Sequence, residues 1–271
     1  MNTSKRLLIS VLLGLSLLSC KKVNDLGIRA LGGDAIVSEQ NCDILSIVRS
    51  DNTKLTFTYQ NNRVEKVTGV ELFNELIYSA GKLTGASLPF VKEYEVKFKL
   101  DNNNHLSEMN VSGRDGGGKL FNETSKFTYS GAGKMTNMSL KLPIFPDPVE
   151  VSLEYSGNNL SRITKKQGVN SILLLSNKSF DDKKSPFFTQ GLLGELLSYF
   201  LVYNLLNGDA NFSYFLSENN VTESQIINEK GTTNLNIDYQ YSNGYPISAD
   251  ISKETNGRLK SVTETFTYNC E

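Results

Sequence analysis

The chain is 271 residues long and carries 28 Lys and Arg against 29 Asp and Glu, with a single His, for a net charge of −1. The basic residues are scattered among acids and form no stripe, which argues against a nucleic-acid binder. About 250 residues remain beyond an N-terminal targeting segment, enough for one large β domain or two small ones.

That segment comes first in the chain. Lys5 and Arg6 precede an apolar run from Leu7 to Leu18, interrupted by Ser10, Gly14 and Ser16. The run is too short to span a bilayer and reads as an export signal. It ends in Leu17-Leu18-Ser19-Cys20, which resembles the lipobox of bacterial lipoproteins, so residues 1–19 are expected to be cleaved and Cys20 to become an acylated first residue. Two or more acyl chains hold a protein at a membrane almost permanently, where one binds marginally. Residues 20–35 are polar and Gly-containing and read as a flexible tether, leaving 36–271 as one domain. No acidic cluster follows Cys20, so periplasmic and cell-surface display in the envelope, most simply at the outer membrane, both stay open.

Removing an acylated Cys20 leaves the pair Cys42 and Cys270. In an oxidising compartment a bridge between them is favoured over two free thiols. It would close a loop of more than two hundred residues, worth roughly 5 kcal/mol in the chain-entropy model.

The mature chain then repeats one signature: an alternating segment ends in an aromatic, a polar or Gly-rich turn follows, and a new apolar segment begins. Phe57-Thr58-Tyr59 turns into Val64 and Val67; Leu76-Ile77-Tyr78 into Leu83 and Ala86; Phe98-Lys99-Leu100 into Leu106 and Met109. Phe127-Thr128-Tyr129 turns into Met135 and Met138, Leu153-Glu154-Tyr155 into Leu160 and Ile163, and Tyr239-Gln240-Tyr241 into Tyr245-Pro246-Ile247. A looser copy leads from Phe212-Ser213-Tyr214-Phe215 to Val221, and Phe266-Thr267-Tyr268 is the last strand. Each unit reads as a β-hairpin, because Asn and Gly tolerate positive φ in tight turns. The prediction is an all-β antiparallel meander forming a large curved or rolled sheet. Apolar residues three apart in each returning strand do not fit simple alternation; a bulge or a residue packed in the turn would explain them.

Between Asn177 and Asn211 the rhythm breaks. Ser179 to Phe187 reads as a turn-rich linker, and Gly191 to Leu206 carries Leu192, Leu193, Leu196, Leu197, Phe200, Leu201 and Leu205 at helical spacing. One helix near 190–207 is expected to cover the apolar face of the sheet. Tyr199 and Tyr203, four residues apart, would be its contact for a ligand or partner if they faced outward.

The lipobox, the hairpins, Phe180-Asp181-Asp182-Lys183-Lys184-Ser185-Pro186-Phe187, Ser217-Glu218-Asn219-Asn220, Asn243-Gly244-Tyr245-Pro246 and the closing Phe266-Thr267-Tyr268-Asn269-Cys270 together resemble a family of uncharacterised Bacteroidetes lipoproteins. The resemblance spans nearly the whole chain. The hairpins are also weakly similar to the tyrosine-aspartate repeats of Rhs-type shell proteins, though the Tyr-Asp dipeptide is missing. The family implies location and fold and brings no activity with it.

Catalytic patterns are missing from the sequence. His105 lies in a polar turn and reads as solvated, with no partner set for a triad, a zinc site or a general base. The acids, Glu71, Glu75, Glu93, Glu95, Asp147 and Glu150 among them, are spread evenly, and no pair stands out for a glycosidase. Asp101-Asn102-Asn103-Asn104 and Arg114-Asp115-Gly116-Gly117-Gly118 are turns more simply than Ca²⁺ loops, so no metal or cofactor is expected. The expectation is a non-enzymatic binding or assembly module for a glycan or an envelope protein. The alternatives are a carboxylate-based hydrolase of envelope polysaccharide and a purely structural component.

Overall fold

Along almost every strand an apolar residue that turns inward alternates with a polar one that turns outward. In β2 (Lys54–Gln60), Leu55 and Phe57 are buried while Lys54, Thr58 and Gln60 are exposed. A period of two makes such a segment half-buried, and consecutive segments joined by short turns pair antiparallel. The computed structural model describes residues 42–61, 63–69, 75–80, 82–87, 94–115, 117–141, 147–187, 191–206, 216–229 and 231–270. The export signal at 1–19, Cys20, the tether at 20–35 and the expected start of the domain at 36 lie outside these residues.

Around β2 lie β1 (Cys42–Arg49), β3 (Arg63–Thr68), β4 (Leu76–Ser79), β5 (Lys82–Ala86), β6 (Glu95–Leu100), β7 (Leu106–Arg114) and β8 (Leu120–Tyr129). They are followed by β9 (Met135–Leu140), β10 (Val149–Ser156), β11 (Asn159–Gln167), β12 (Asn170–Lys184), the helix α1 (Leu192–Leu206), β13 (Asn219–Asn228), β14 (Gly231–Ser242), β15 (Tyr245–Thr255) and β16 (Arg258–Cys270). All sixteen strands form one antiparallel sheet whose spatial order runs β3-β2-β1-β16 and then down in sequence to β4. Among the described residues the two ends of that order, β3 and β4, meet through one backbone bridge, Lys66 to Glu75, so the sheet is a nearly closed barrel. First and last strands pair side by side, and Cys42 and Cys270 are disulfide-bonded across that pairing.

The apolar residues three apart in the returning strands mark bulges. Tyr59 pairs with Val64 but Thr58 pairs with Lys66, which leaves Glu65 as an extra residue. The same shift follows Tyr78, Leu100, Tyr129, Tyr155, Tyr241 and, across the closing pair, Tyr268. One extra residue restores the inward face, so Val64 and Val67 can both be buried. Where the extra residue bears a hydroxyl, it donates back to the facing strand: Thr84 to the Ile77 carbonyl at 3.1 Å, Ser107 to Lys99 at 2.9 Å, Ser161 to Glu154 at 3.0 Å.

The anchor tyrosines tie each hairpin to the one before it. Tyr59 donates its hydroxyl hydrogen bond to the Ile44 carbonyl (2.9 Å), Tyr78 to Val64 (2.6 Å), Tyr129 to Leu106 (2.9 Å), Tyr155 to Met135 (2.9 Å) and Tyr268 to Pro246 (2.9 Å). Each acceptor is the first inward residue of the preceding returning strand, at its bulge. At Leu160 the same service comes from Asn177 Nδ2, at 2.9 Å.

The helix fills the barrel. Leu193, Leu196, Leu197, Tyr199, Phe200, Leu201, Val202 and Leu205 are buried, which covers every side of α1, and a helix apolar all round belongs inside a core. The expected helix near 190–207 is present, but the linker before it is not: β12 continues through Lys184, with Phe180 packed on the core. Its polar residues fasten strands together, Asp181 accepting from the Tyr241 hydroxyl and from the Asn220 backbone amide at 3.1 Å.

Outside, the barrel is mainly polar, with Leu45, Val48, Ile77, Leu120, Ile172, Ile247 and Leu259 as exposed apolar side chains on its strands, and it is cross-linked by side-chain pairs: Lys99 with Glu108 (3.1 Å), Ser152 with Asn137 (3.0 Å), Thr263 with Asp250 (2.7 Å) and Gln225 with Asn234 (3.0 Å). A lipid-facing barrel shows the reverse, an apolar outer band over a polar interior. Tyr155→Phe removes one hydroxyl from the tyrosine chain and leaves the Met135 carbonyl short of a donor. It is expected to lower stability by about 1 kcal/mol, read as a reduced urea midpoint with unchanged slope.

Candidate functional site

The hairpin turns beside the tyrosines form one rim of the barrel, and α1 begins at that rim. A cavity of about 700 Å³ opens between them. Its floor is apolar, from Val64, Leu76, Leu83, Leu100, Leu193 and Leu196, and its mouth is polar, from Asp43, Arg63, Lys82, Asn103, Asn104 and His105. A smaller cavity of about 280 Å³ adjoins it beyond His105 and Glu195, lined also by Tyr129, Lys134 and Tyr155.

Glu195 is the hinge between the two. It sits in the first turn of α1, where the helix dipole favours an acid, and it is only 12% exposed. Its Oε1 lies 2.6 Å from His105 Nδ1, and its Oε2 accepts from the Leu106 amide (2.7 Å) and from the Tyr129 hydroxyl (2.9 Å), whose one hydrogen is shared with the Leu106 carbonyl. The imidazole stacks on the Tyr129 ring at 4.6 Å. Its other nitrogen faces Gly133, where an added Cβ would come within 3.2 Å and where φ is +75°, a conformation that glycine alone adopts freely. Burial, and then the neighbouring carboxylate, push the Tyr129 hydroxyl far above its ordinary value, so it stays a donor.

His105 is therefore not the solvated turn residue expected from the sequence. It forms the acid-base pair with Glu195 that sequence spacing could not show, since ninety residues separate them. Both oxygens of Glu195 are engaged, so the arrangement locks α1 to the β6–β7 hairpin and leaves this carboxylate no lone role toward a substrate. A lone acid in an otherwise apolar helix was the available signal.

Tyr199 and Tyr203 do not form the exposed pair that helical spacing suggested. Tyr199 is wholly buried, edge-on to Phe127 at 5.8 Å, and its hydroxyl is pushed up by burial; Tyr203 is half-buried against the core. The reason is that α1 runs inside the barrel instead of across its surface. A second polar cluster lies in the interior: Arg49 and Glu264, both buried, face each other across the closing strand pair at 3.6 Å. Among the described residues, no group of His, Cys, Asp and Glu is placed to hold a metal ion, and no helix is long and apolar enough to cross a membrane.

No protein-family model matches the chain, and no curated protein matches it. Solved structures are similar, two porin-like proteins among them. One is a porin-like protein from Bacteroides uniformis ATCC 8492, with TM-score 0.50 and 15% identity, covering 86% of this chain and 98% of that one. The other is a porin-like protein from Bacteroides vulgatus ATCC 8482, with TM-score 0.47 and 10% identity, covering 84% and 99%. At such identity the first likeness speaks to the fold alone.

Glu195→Ala leaves His105, the Leu106 amide and Tyr129 without their shared acceptor. It is expected to cost at least about 2 kcal/mol in chemical denaturation, while Glu195→Gln, which keeps one carbonyl oxygen, costs less.

Proposed function

We propose that this chain is an envelope lipoprotein, anchored through Cys20, whose barrel is a non-catalytic binding module with its site at the tyrosine rim. The observation that carries the reading is the rim cavity. At about 700 Å³ it falls within the range of small-ligand sites, roughly 300–1,000 Å³, and it combines an apolar floor with a few convergent polar groups.

Three features support it. The outer face of the barrel is mainly polar, which suits a body standing in water and not one embedded in lipid. The lumen is occupied by core side chains and α1, so the name porin-like, which belongs to the two similar proteins, transfers no pore to this chain. Cys42 and Cys270 bring the first and last described strands together beside Asp43 in the lining of the cavity, so the barrel begins at its binding end. A hydrolase of envelope polysaccharide is less well supported, because the one acid in the first turn of α1 is fully engaged by its three donors. A glycan or an envelope protein remains a candidate ligand on this reading, but at the rim and not at Tyr199 and Tyr203.

The test is to isolate the full-length protein and its Cys20→Ala variant from a bacterial host and compare where they fractionate and what they carry. The native chain is expected in the membrane fraction and the variant in the soluble one. Native mass spectrometry of the variant is expected to show a bound small molecule at one per chain, displaced in a Leu192→Trp variant that fills the cavity. Ligand-free protein that no fraction of an envelope extract stabilises against heating contradicts the proposal.

A further inference from the structure

The repeat places a basic residue at one position in four consecutive hairpins. Immediately before the first inward residue of the returning strand stand Arg63, Lys82, His105 and Lys134. Three of them lie over the anchor aromatic of the next hairpin: the Arg63 guanidinium over Tyr78 at 5.3 Å, His105 over Tyr129 at 4.6 Å, and the Lys134 ammonium over Tyr155 at 5.6 Å. For Arg63 and Lys134 this is a cation held by the quadrupole of the ring, and for His105 it is ring stacking. Lys82 is the exception, because the matching position in the next hairpin is Leu100, which offers no ring. The missing aromatic also removes bulk, and the larger cavity lies at this gap, with Lys82 and Leu100 both in its wall.

Two cations, Arg63 and Lys82, stand in the wall of that gap. Of the two acids in the described lining, Glu195 has both oxygens hydrogen-bonded, to His105, the Leu106 amide and the Tyr129 hydroxyl, and Asp43 is the other. Below them the wall is hydrocarbon. The cavity also abuts the junction where β3 and β4 are joined by the Lys66–Glu75 bridge with its 3.5 Å ion pair and by the Tyr78 to Val64 hydrogen bond.

Resting on the reading of the rim as a binding site, we propose that its ligand is a single-chain anionic amphiphile. The hydrocarbon tail lies along Leu83, Leu100, Leu193 and Leu196, and a carboxylate or phosphate head is paired by Lys82 beside Arg63. Burial of the tail supplies affinity and the lysine supplies the choice of head group.

The test uses the chain from Lys21 onward, which keeps the whole described barrel and lacks an acyl group of its own. It is titrated below their micelle thresholds with palmitate, lysophosphatidate and the neutral monopalmitoylglycerol, and binding is read by calorimetry. At least one anionic amphiphile is expected to saturate at one per chain and to bind tenfold or more tightly than the neutral one; which of the two is tighter identifies the head group. Lys82→Met is expected to weaken that binding at least tenfold, and Lys82→Arg to stay within about twofold, both with an unchanged thermal midpoint. Equal binding of charged and neutral amphiphiles, or indifference to Lys82→Met, overturns the proposal. Absence of amphiphile binding while an envelope extract still stabilises the protein in a Leu192→Trp-sensitive way overturns this inference and spares the rim site; absence of both removes the two together.

Discussion

The hydrogen bond that five of the anchor tyrosines make to the bulge carbonyl of the preceding hairpin is the interaction on which the rest of this structure depends. A meander of two-stranded hairpins has little reason to keep a fixed angle between one unit and the next, since strand pairing alone tolerates a wide range of twist. The bulge after each turn bends the returning strand, and the extra residue exposes a carbonyl at a repeatable place. A hydroxyl that arrives from the next hairpin reads that place. Tyr59, Tyr78, Tyr129, Tyr155 and Tyr268 do so in turn, and the bend repeats until the sheet meets itself.

Two consequences follow from where the pattern is kept and where it is broken. It is kept across the chain ends: Tyr268 pairs with Ile44 and Tyr59 bonds the Ile44 carbonyl, so the first and last strands join as if no break existed, and the Cys42–Cys270 bond secures that join. It is broken at Leu100, which has no hydroxyl and no ring. The large cavity, the lysine without an aromatic beneath it and the junction of β3 and β4 all gather on that side of the rim. The binding site proposed for this protein is in that sense a defect in its own repeat, held open between a helix fastened by Glu195 and a hairpin that lacks its tyrosine.

Much of the fold was legible in the chain itself. Alternation and turn chemistry gave the hairpins, the spacing of leucines gave α1, and cysteine arithmetic, with export expected from the N-terminal segment, gave the disulfide. The spacing of three between Val64 and Val67 already encoded the bulge, although only the register shows which of two explanations holds. The segment Ser179 to Lys184 misled because Asp181 and its neighbours have turn-like composition; in the barrel they are strand residues whose polar groups pair with Asn220 and Tyr241. The site was least legible. Glu195 and His105 meet only because α1 is drawn inside the barrel, and Tyr199 is buried for the same reason, so an outward contact face cannot be read from helical period alone. The row Arg63, Lys82, His105, Lys134 could have been found by aligning the repeats on their first inward residue.

The surface completes the account. An apolar interior filled by side chains and a helix, inside a mainly polar wall, supports the proposal that the barrel stands in water. Single cysteines at the outward positions Thr58, Lys97, Thr128, Ser152 and Asp238 test this most directly, each introduced into the full-length protein in native membranes opened to both faces. The account predicts that all five react with a water-soluble maleimide at similar rates and that a fluorophore at none of them is quenched by brominated lipid. A contiguous belt of positions shielded from the maleimide and quenched by lipid would show the barrel wall embedded in the bilayer and would contradict it.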